Sequence, residues 1–258
     1  MQATFNNEKV DFNFEYMKNF WNGNILPNDH HHLVVACFPK SGSTYLSEMI
    51  GSFPSIRKRF LVFGHERREQ ELSPELLVLY HDINYVAQHH LRCSSPTVFL
   101  LKVFSIHPVV LVRNLYDVIV SLDDYYQNKI QSGSMAFVNE DIWSADYEIR
   151  LNFYADLMAP WYINFFVSWS SYDYPATWIT YEDLIGSEAL NLKRIATDAK
   201  IDIDDATIQS AIEKTKGTDT RLNKGVSGRG ESLPQAVKDK IRRLTDYYPS
   251  IDFSPIGL

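Results

Sequence analysis

The chain has 258 residues, 45% of them hydrophobic and 22% charged, which is typical of one globular domain with a substantial core. Its 25 lysine and arginine residues are outnumbered by 32 acidic residues, and the net charge of −7 argues against a nucleic-acid-binding surface. No apolar run reaches the roughly 18 residues that cross a membrane, and the N-terminus lacks the pattern of a secretion signal. Two cysteines are too few for a disulfide framework. We therefore expect a cytoplasmic protein with reduced thiols and neither nucleic-acid nor membrane partners.

Three consecutive histidines are the one pattern that suggests a metal site. They are His30, His31 and His32, and no cysteine or glutamate lies at ligand spacing from them. Side chains of three adjacent residues cannot all face one ion. We therefore expect no bound metal.

Apolar runs of strand length alternate with helical patterns along the whole chain. Strands are predicted at residues 33–38, 59–63, 97–104, 109–112 and 176–180. Helices are predicted at about residues 12–23, 43–53, 74–87, 115–129, 146–170 and 181–214, the last as two helices, with a final one from residue 234. This alternation predicts a single α/β domain over residues 1–258, in which helices flank a mostly parallel central sheet.

The first predicted strand is followed by a loop and a helix that favour phosphate binding. Pro39 ends the strand, and Gly42 allows a tight turn before the helix. The loop and first helical turn contain one lysine and three hydroxyl side chains: Lys40, Ser41, Ser43 and Thr44. Backbone N–H groups at a helix N-terminus attract anions, and the lysine adds charge. The alternative is an ordinary strand–turn–helix unit, since the loop lacks the GxxxxGK[ST] order of nucleoside-triphosphate-binding loops.

Polar side chains follow several predicted strands at the point where each ends. They are Lys40, His65, Glu66, Lys102, Arg113 and Tyr181. In parallel α/β sheets, ligands bind beyond the carboxyl ends of the strands, so these residues are candidate ligands. Arg113, with Ser121 eight residues later, can hold a second phosphate through a guanidinium fork and a hydroxyl. The alternative for Arg113 is an ion pair with Asp117.

Four segments resemble the motifs of sulfotransferases that use 3′-phosphoadenosine 5′-phosphosulfate (PAPS). FPKSGSTY at residues 38–45 resembles the 5′-phosphosulfate loop, YPKSGTTW, and VRNLYDVIVS at 112–121 resembles the 3′-phosphate motif, RNPKDVxVS. YEDL at 181–184 is similar to the segment whose tyrosine contacts adenine, and NKGVSG at 223–228 resembles the RKGxxG loop that closes over the nucleotide. The segments follow the family's order over most of residues 33–233. The chain therefore resembles a compact, cytosolic-type member of this family.

The resemblance implies how the 5′ half of the nucleotide is held. Lys40 contacts the 5′-phosphate and the bridging oxygen, together with the loop residues Ser41, Gly42, Ser43 and Thr44. Tyr45 stands where the family usually has a tryptophan that stacks on adenine, and a tyrosine can still stack with less area. Tyr181 contacts the same base.

The resemblance also assigns the 3′-phosphate to residues from two segments. They are Arg113 and Ser121 in the 109–130 unit and Lys224 and Gly225 in the 216–233 loop. Asn223 stands in place of an arginine, so one charged contact is lost. Arg221 or Arg229 can substitute for it. No metal is required, because the leaving group is a nucleotide phosphate.

The general base is the point at which the chain departs from the cytosolic pattern. The family's third strand ends in KTH, and the stretch matched here is 102–104, with Lys102 as a charge stabiliser and Phe104 at the histidine position. We expect His65 or Glu66 to replace that histidine, in preference to His107, because both follow the second predicted strand. The alternative for residues 65–69 is a solvated charged run.

We read the chain as a PAPS-dependent sulfotransferase that transfers a sulfuryl group in line to a hydroxyl or amine of a small molecule, with 3′-phosphoadenosine 5′-phosphate (PAP) as product. The alternatives are a P-loop phosphotransferase and a nucleotide-binding module without transfer activity. The acceptor pocket is expected near Trp143, Tyr147 and Tyr154 and the N-terminal segment, with Asp123, Asp124 and Asp141 as candidate contacts for a cationic acceptor. The dimerisation pattern KxxxTVxxxE is missing from residues 231–248, so a monomer or a weak homodimer is expected.

Overall fold

The structure, a computed structural model, describes residues 2–5, 8–11, 13–62, 71–128, 135–216 and 226–258. The strands are β1 (Gln2–Phe5), β2 (Glu8–Asp11), β3 (His32–Cys37), β4 (Arg57–Lys58), β5 (Tyr85–His89), β6 (Ile106–Val112) and β7 (Thr177–Thr180). The helices are α1 (Phe14–Trp21), α2 (Ser43–Gly51), α3 (Pro74–Leu79), α4 (Ser95–Val103), α5 (Leu115–Asn128), α6 (Glu140–Trp143), α7 (Tyr147–Phe153), α8 (Ala159–Ser171), α9 (Tyr181–Gly186), α10 (Glu188–Asp198), α11 (Asp205–Lys216) and α12 (Gln235–Arg243). None of the helices in these ranges is long and apolar enough to cross a membrane.

Five strands form a parallel sheet in the order β4-β5-β3-β6-β7, and β1 and β2 form a separate antiparallel hairpin. The prediction of a single α/β domain with a mostly parallel central sheet flanked by helices is confirmed. The central strand β3 is buried along its whole length, as a parallel strand covered on both faces should be.

Helices cover both faces of the sheet and divide the core into two clusters. Leu33, Val35 and Cys37 of β3 pack on one face with α2, α10 and α11. Val34 and Ala36 pack on the other face with α4, α5, α8 and α12. The loop after β3 therefore leads to one face of the sheet, and the loop after the adjacent β6 leads to the other. Such a switch in direction opens a crevice at the carboxyl edge, where ligands of α/β proteins bind.

The prediction of a strand at residues 97–104 is wrong, because this stretch forms α4. Ser94 caps the helix by accepting a hydrogen bond from the Thr97 N–H at 3.2 Å, and a proline occupies its first turn. Valine, threonine and phenylalanine gave the stretch the composition of a strand, but the capped start and the packing of α4 against β6 determine a helix.

The strand that the sequence analysis missed is β5, which lies beside β3. The predicted helix over 74–87 ends at Leu79, and residues 85–89 pair with β3 instead. The second strand, predicted at 59–63, is only two residues long, at Arg57–Lys58. The error at β5 affects the site, because the end of β5 contributes to the crevice.

A buried histidine begins the central strand and couples stability to pH. His32 stacks on Tyr85 with ring centroids 4.5 Å apart, and its two ring nitrogens lie 2.8 and 2.9 Å from the Phe104 and His81 carbonyl oxygens. Burial outweighs these contacts and lowers the pKa of His32 to about 4. Burial also lowers the pKa of His81 and His107.

We expect the protein to lose stability as the pH falls from about 6.5 to 5. The unfolded chain binds a proton at residue 32 in this range, whereas the folded chain does not, so His32 alone lowers the free energy of unfolding by about 2 kcal/mol. Urea unfolding at the two pH values measures the change. The variant His32→Gln should show a weaker pH dependence and His31→Gln the wild-type dependence. An unchanged slope in His32→Gln contradicts the assignment.

Candidate active site

The loop between β3 and α2 forms a cradle at the centre of the carboxyl edge. Ser41 donates a hydrogen bond from Oγ to the Phe38 carbonyl oxygen at 2.7 Å, and Lys40 and Gly42 have φ values of 68° and 80°. The first α-helical bond joins the Leu46 N–H to the Gly42 carbonyl oxygen, so the N–H groups of residues 43–45 begin the helix and have no helical acceptor. A Cβ atom at Gly42 would lie 2.9 Å from Cδ2 of Tyr181. Only glycine suits this turn, because of its backbone angle and the ring beside it.

Lys40 and Arg113 meet across the crevice. The Lys40 ammonium lies 4.6 Å from the centroid of the Tyr125 ring on α5, a cation–π contact. Arg113 directly follows β6 and donates from Nη1 to the Lys40 carbonyl oxygen at 3.1 Å. The loops after β3 and β6 are thus joined by one side chain.

Arg113 is buried, and its guanidinium is held on three sides. It lies 4.0 Å from the centroid of the Tyr181 ring, and Nη2 donates to the Val226 carbonyl oxygen at 3.2 Å. The Asp117 carboxylate is 3.8 Å from Nη2, so the ion pair considered as an alternative exists but is long. Arg113 Nε is buried and has no hydrogen-bond partner among the described residues. A buried donor without a partner is costly, and an anion beside it would remove that cost.

Tyr181 and Glu182 connect the YEDL segment to the loop after β6. Tyr181 begins α9 and is buried between Gly42 and the Arg113 guanidinium, and burial raises its pKa. Glu182 accepts a hydrogen bond from the Asn114 N–H at 3.3 Å, and burial raises its pKa. The segments that resemble the 5′-loop, the 3′-phosphate motif and the adenine segment therefore converge at one place.

Four other predicted nucleotide contacts lie on the two helices that follow β3 and β6, three on α2 and one on α5. Tyr45 is buried against α10 and donates to Glu188 Oε1 at 3.4 Å, and burial raises its pKa to about 12. Ser121 is buried two turns into α5. Ser43 accepts a hydrogen bond from the Gln88 side-chain amide at 2.6 Å, and Thr44 is half-buried at the start of α2.

The end of β5 brings a histidine into the crevice that the sequence analysis did not identify. His90 Nδ1 lies 3.0 Å from the Cys37 carbonyl oxygen at the end of β3. Because a carbonyl oxygen only accepts, Nδ1 carries the proton and Nε2 is the basic nitrogen of the ring. The His90 ring also meets Trp161 edge-on, with centroids 6.4 Å apart. The missed signal was the β-prone run at 85–89 before the helix start Ser94-Ser95-Pro96.

Three residues considered for the chemistry lie at the opposite edge of the sheet. Lys102 is exposed on α4, Phe104 ends that helix, and His107 is the second residue of β6, where it bonds Thr177 Oγ1 at 2.8 Å. The seven residues of β6 separate this edge from the crevice by about 20 Å. The prediction that Lys102 follows a strand at the carboxyl edge is therefore wrong. So is the comparison of Phe104 with the family's histidine.

Five predicted site residues lie outside the residues that the structure describes. They are His65, Glu66, Asn223, Lys224 and Gly225. Arg229, considered as a substitute for an arginine at position 223, forms an ion pair with Asp124 at 2.8 Å.

Two of the three acidic residues considered for a cationic acceptor, Asp123 and Asp124, are paired with arginines. Asp123 accepts from Arg150 Nε at 2.7 Å and from the Tyr154 hydroxyl at 3.2 Å. Tyr154 is fully buried. Tyr147 is partly exposed, and the Arg150 guanidinium packs over its ring. Among the residues that the structure covers, no group of three or more histidines, cysteines or acidic residues is arranged to hold a metal ion.

Comparisons with known proteins agree with this fold. The family model described as "Sulfotransferase domain" matches residues 29–243. The mouse sulfotransferase SULT7A1, solved in complex with PAP, is similar with a TM-score of 0.62, 17% identity and coverage of 98% of this chain and 96% of that one. Retinol dehydratase is similar in its complex with androsterone and PAP (TM-score 0.55, 13% identity) and in its complex with retinol and PAP (0.54, 14%), with 96% of this chain and 89% of that one covered in both. A search of curated protein sequences returns no match.

Proposed function

The chain belongs to the sulfotransferase family, and we propose that it transfers a sulfuryl group from PAPS to a hydroxyl or amine of a small-molecule acceptor. The observation that carries the proposal is the convergence of the Lys40 loop, Arg113 and Tyr181 on one crevice. No feature of the described residues favours the P-loop phosphotransferase that the sequence left as an alternative, and the loop has no GK[ST] order.

The residues present fit the proposed nucleotide. The buried Arg113 Nε has no hydrogen-bond partner among the described residues, and the loop at Gly42 leaves no space for a side chain. Both features suit a polyanion, and Arg113 with Ser121 would hold its 3′-phosphate while the N-terminus of α2 holds the 5′ end. The PAP complexes of the structural neighbours support this choice of cofactor. No step of the proposal needs a metal.

Lys40 and the α2 N-terminus would supply the charge stabilisation. When bound, PAPS supplies an activated sulfuryl group and a nucleotide phosphate as leaving group. Lys40 and the N–H groups of Gly42, Ser43 and Thr44 would attract the negative charge that builds on that phosphate. Because the fold fixes these donors, little reorganisation is needed during the reaction.

His90 is the residue that we propose as general base. Counted along the chain with β3 as the first, β5 is the third strand of the parallel sheet, so we match residues 88–90 to the family's KTH. The histidine position is then occupied by His90, and Gln88 replaces the lysine. With its Nδ1–H directed to the Cys37 carbonyl oxygen, the ring would accept the acceptor's proton at Nε2. His65 and Glu66 remain alternatives.

The acceptor is proposed only by class. Retinol dehydratase binds retinol or androsterone in its complexes, and both are small hydroxyl compounds. The compensation of Asp123 by Arg150 favours a neutral acceptor over a cationic one. We also propose a cytoplasmic location, since both cysteines are buried and not joined in a disulfide, and a monomer or weak homodimer.

Calorimetric binding of PAP, compared with AMP and with ATP plus Mg²⁺, tests the cofactor. We expect the wild type to prefer PAP over AMP roughly 10- to 100-fold without metal, because Arg113 adds charge-assisted hydrogen bonds. In Arg113→Gln this preference should nearly disappear, while Arg194→Gln, which removes an exposed arginine, should retain it. Equal affinity of the wild type for PAP and AMP, or preference for ATP with Mg²⁺, contradicts the proposal.

A further inference from the structure

A buried carboxylate links α5 to the last part of the proposed nucleotide-covering loop, residues 226–232. Asp117 lies in the first turn of α5 and is 1% exposed. Its Oδ2 accepts a hydrogen bond from the Gly228 N–H at 2.8 Å, and its Oδ1 accepts one from the Gly230 N–H at 2.6 Å. One side chain thus fixes two backbone groups that are two residues apart.

Residues 226–232, here called the strap, lie closely on α5. A Cβ atom at Gly230 would be 2.4 Å from the Tyr116 Cβ and 2.8 Å from the Asp117 nitrogen, so residue 230 has to be glycine for this approach. Gly228 has a φ of 84°, a second position that favours glycine. Between the two glycines, Arg229 forms a partly exposed ion pair with Asp124.

The strap also reaches the proposed 3′-phosphate site. Its first residue, Val226, accepts a hydrogen bond from Arg113 Nη2 through its carbonyl oxygen. Asp117 itself is 3.8 Å from the same Nη2 atom. The position of the Arg113 guanidinium therefore depends on where Asp117 holds the strap.

A carboxylate beside a phosphate site is unfavourable unless it has a compensating role, because two negative charges repel each other in a buried environment. Two N–H groups and the guanidinium compensate the charge of Asp117 in this structure. Removal of the Asp117 charge alone would be expected to strengthen binding of the 3′-phosphate. Loss of the strap would be expected to weaken it, so the two effects have opposite signs.

We propose that Asp117 is a positioning residue that holds the strap against α5 and, through Val226, orients Arg113 towards the nucleotide. The inference rests on the proposed role of Arg113 in binding the 3′-phosphate. It adds a residue that acts on the nucleotide without contacting it. The carboxylate is needed rather than an amide, since both of its oxygens accept from backbone N–H groups.

The test compares Asp117→Asn with Asp124→Asn, which removes the same charge from the same helix and the partly exposed ion pair with Arg229 but leaves both glycine contacts. An ion pair of this kind contributes little to stability, so the comparison isolates the two glycine contacts. Hydrogen exchange of the strap amides is measured first, without ligand. We expect exchange at residues 228 and 230 to be at least 10-fold faster in Asp117→Asn and within about 3-fold of wild type in Asp124→Asn. Circular dichroism establishes that both variants are folded.

Binding of PAP is then measured by calorimetry. We expect the dissociation constant to rise roughly 10-fold or more in Asp117→Asn and to change less than about 3-fold in Asp124→Asn. Gly230→Ala keeps the carboxylate and displaces the strap, so it should reproduce the loss. PAP binding by Asp117→Asn that equals or exceeds that of the wild type overturns the inference. If neither the wild type nor Asp117→Asn binds PAP, the proposed function is overturned instead. The exchange of the strap amides then still shows whether Asp117 holds the strap.

Discussion

Lys40→Ala is expected to lower the rate of sulfuryl transfer by about 10³-fold while the protein stays folded. Lys40 lies in the loop between β3 and α2, where its ammonium rests over the Tyr125 ring and its backbone oxygen binds Arg113. A preorganised donor that meets charge in the transition state is worth roughly 10²–10³ in rate, and a full positive charge is worth more than a neutral donor. Loss of the side chain leaves the backbone contact to Arg113 in place, so the fold should be little affected.

Rates are compared in a coupled assay of PAP release, using the member of a phenol, alcohol and amine panel that the wild type converts. Lys102→Ala is the matched control, since it removes an exposed lysine at the far edge of the sheet. It should keep the wild-type rate. Undiminished transfer by Lys40→Ala, or a large loss of rate in Lys102→Ala, would contradict the catalytic role assigned to Lys40.

The fold class was predictable because its signals are local and repeated. The continuous apolar run of β3, the turn at Gly42 and the stripe on α2 each describe their own element. The sequence also predicted the ends of β3 and β6 well enough to place Lys40 and Arg113 at one edge, since carboxyl ends of parallel strands share an edge.

The prediction of secondary structure failed between residues 74 and 104, because the residue composition there favours other elements than the helix caps and the tertiary packing do. The run at 97–104 has the β-branched and aromatic residues of a strand, but the Ser94 cap and a proline start a helix there. The strand β5 follows α3 closely and continues its apolar pattern, so it was read as part of that helix. One misplaced strand then matched the family's histidine position to Phe104, and His90 was not considered as a base.

The contacts that organise the site could not be predicted, because they join residues distant in the chain. Asp117 bonds the Gly228 N–H across 111 positions, and Arg113 bonds the Lys40 oxygen across 73. Motif spacing indicates which residues bind a ligand. It does not show that Gly42 packs on the Tyr181 ring or that Gly230 packs on Tyr116. These packings depend on the tertiary fold.

His90→Ala is expected to lower the transfer rate by roughly 10²- to 10⁴-fold, the range of a lost general base, with PAP affinity unchanged. The hydrogen bond from Nδ1 to the Cys37 carbonyl oxygen fixes the ring and leaves Nε2 as the basic nitrogen. Because a general base must be unprotonated to act, the wild-type rate should rise with pH. In the variant this dependence should be absent.

His107→Ala is the control that separates this assignment from the histidine considered in the sequence. Its ring bonds Thr177 at the amino edge of the sheet, about 20 Å from the crevice, so its removal should change the rate less than about 3-fold. Glu66→Gln gives the third comparison. If Glu66 is the base, Glu66→Gln should lose both the rate and its pH dependence, and His90→Ala should stay nearly active. A base at His90 leaves Glu66→Gln with the wild-type profile, because only the imidazole then accepts the acceptor's proton.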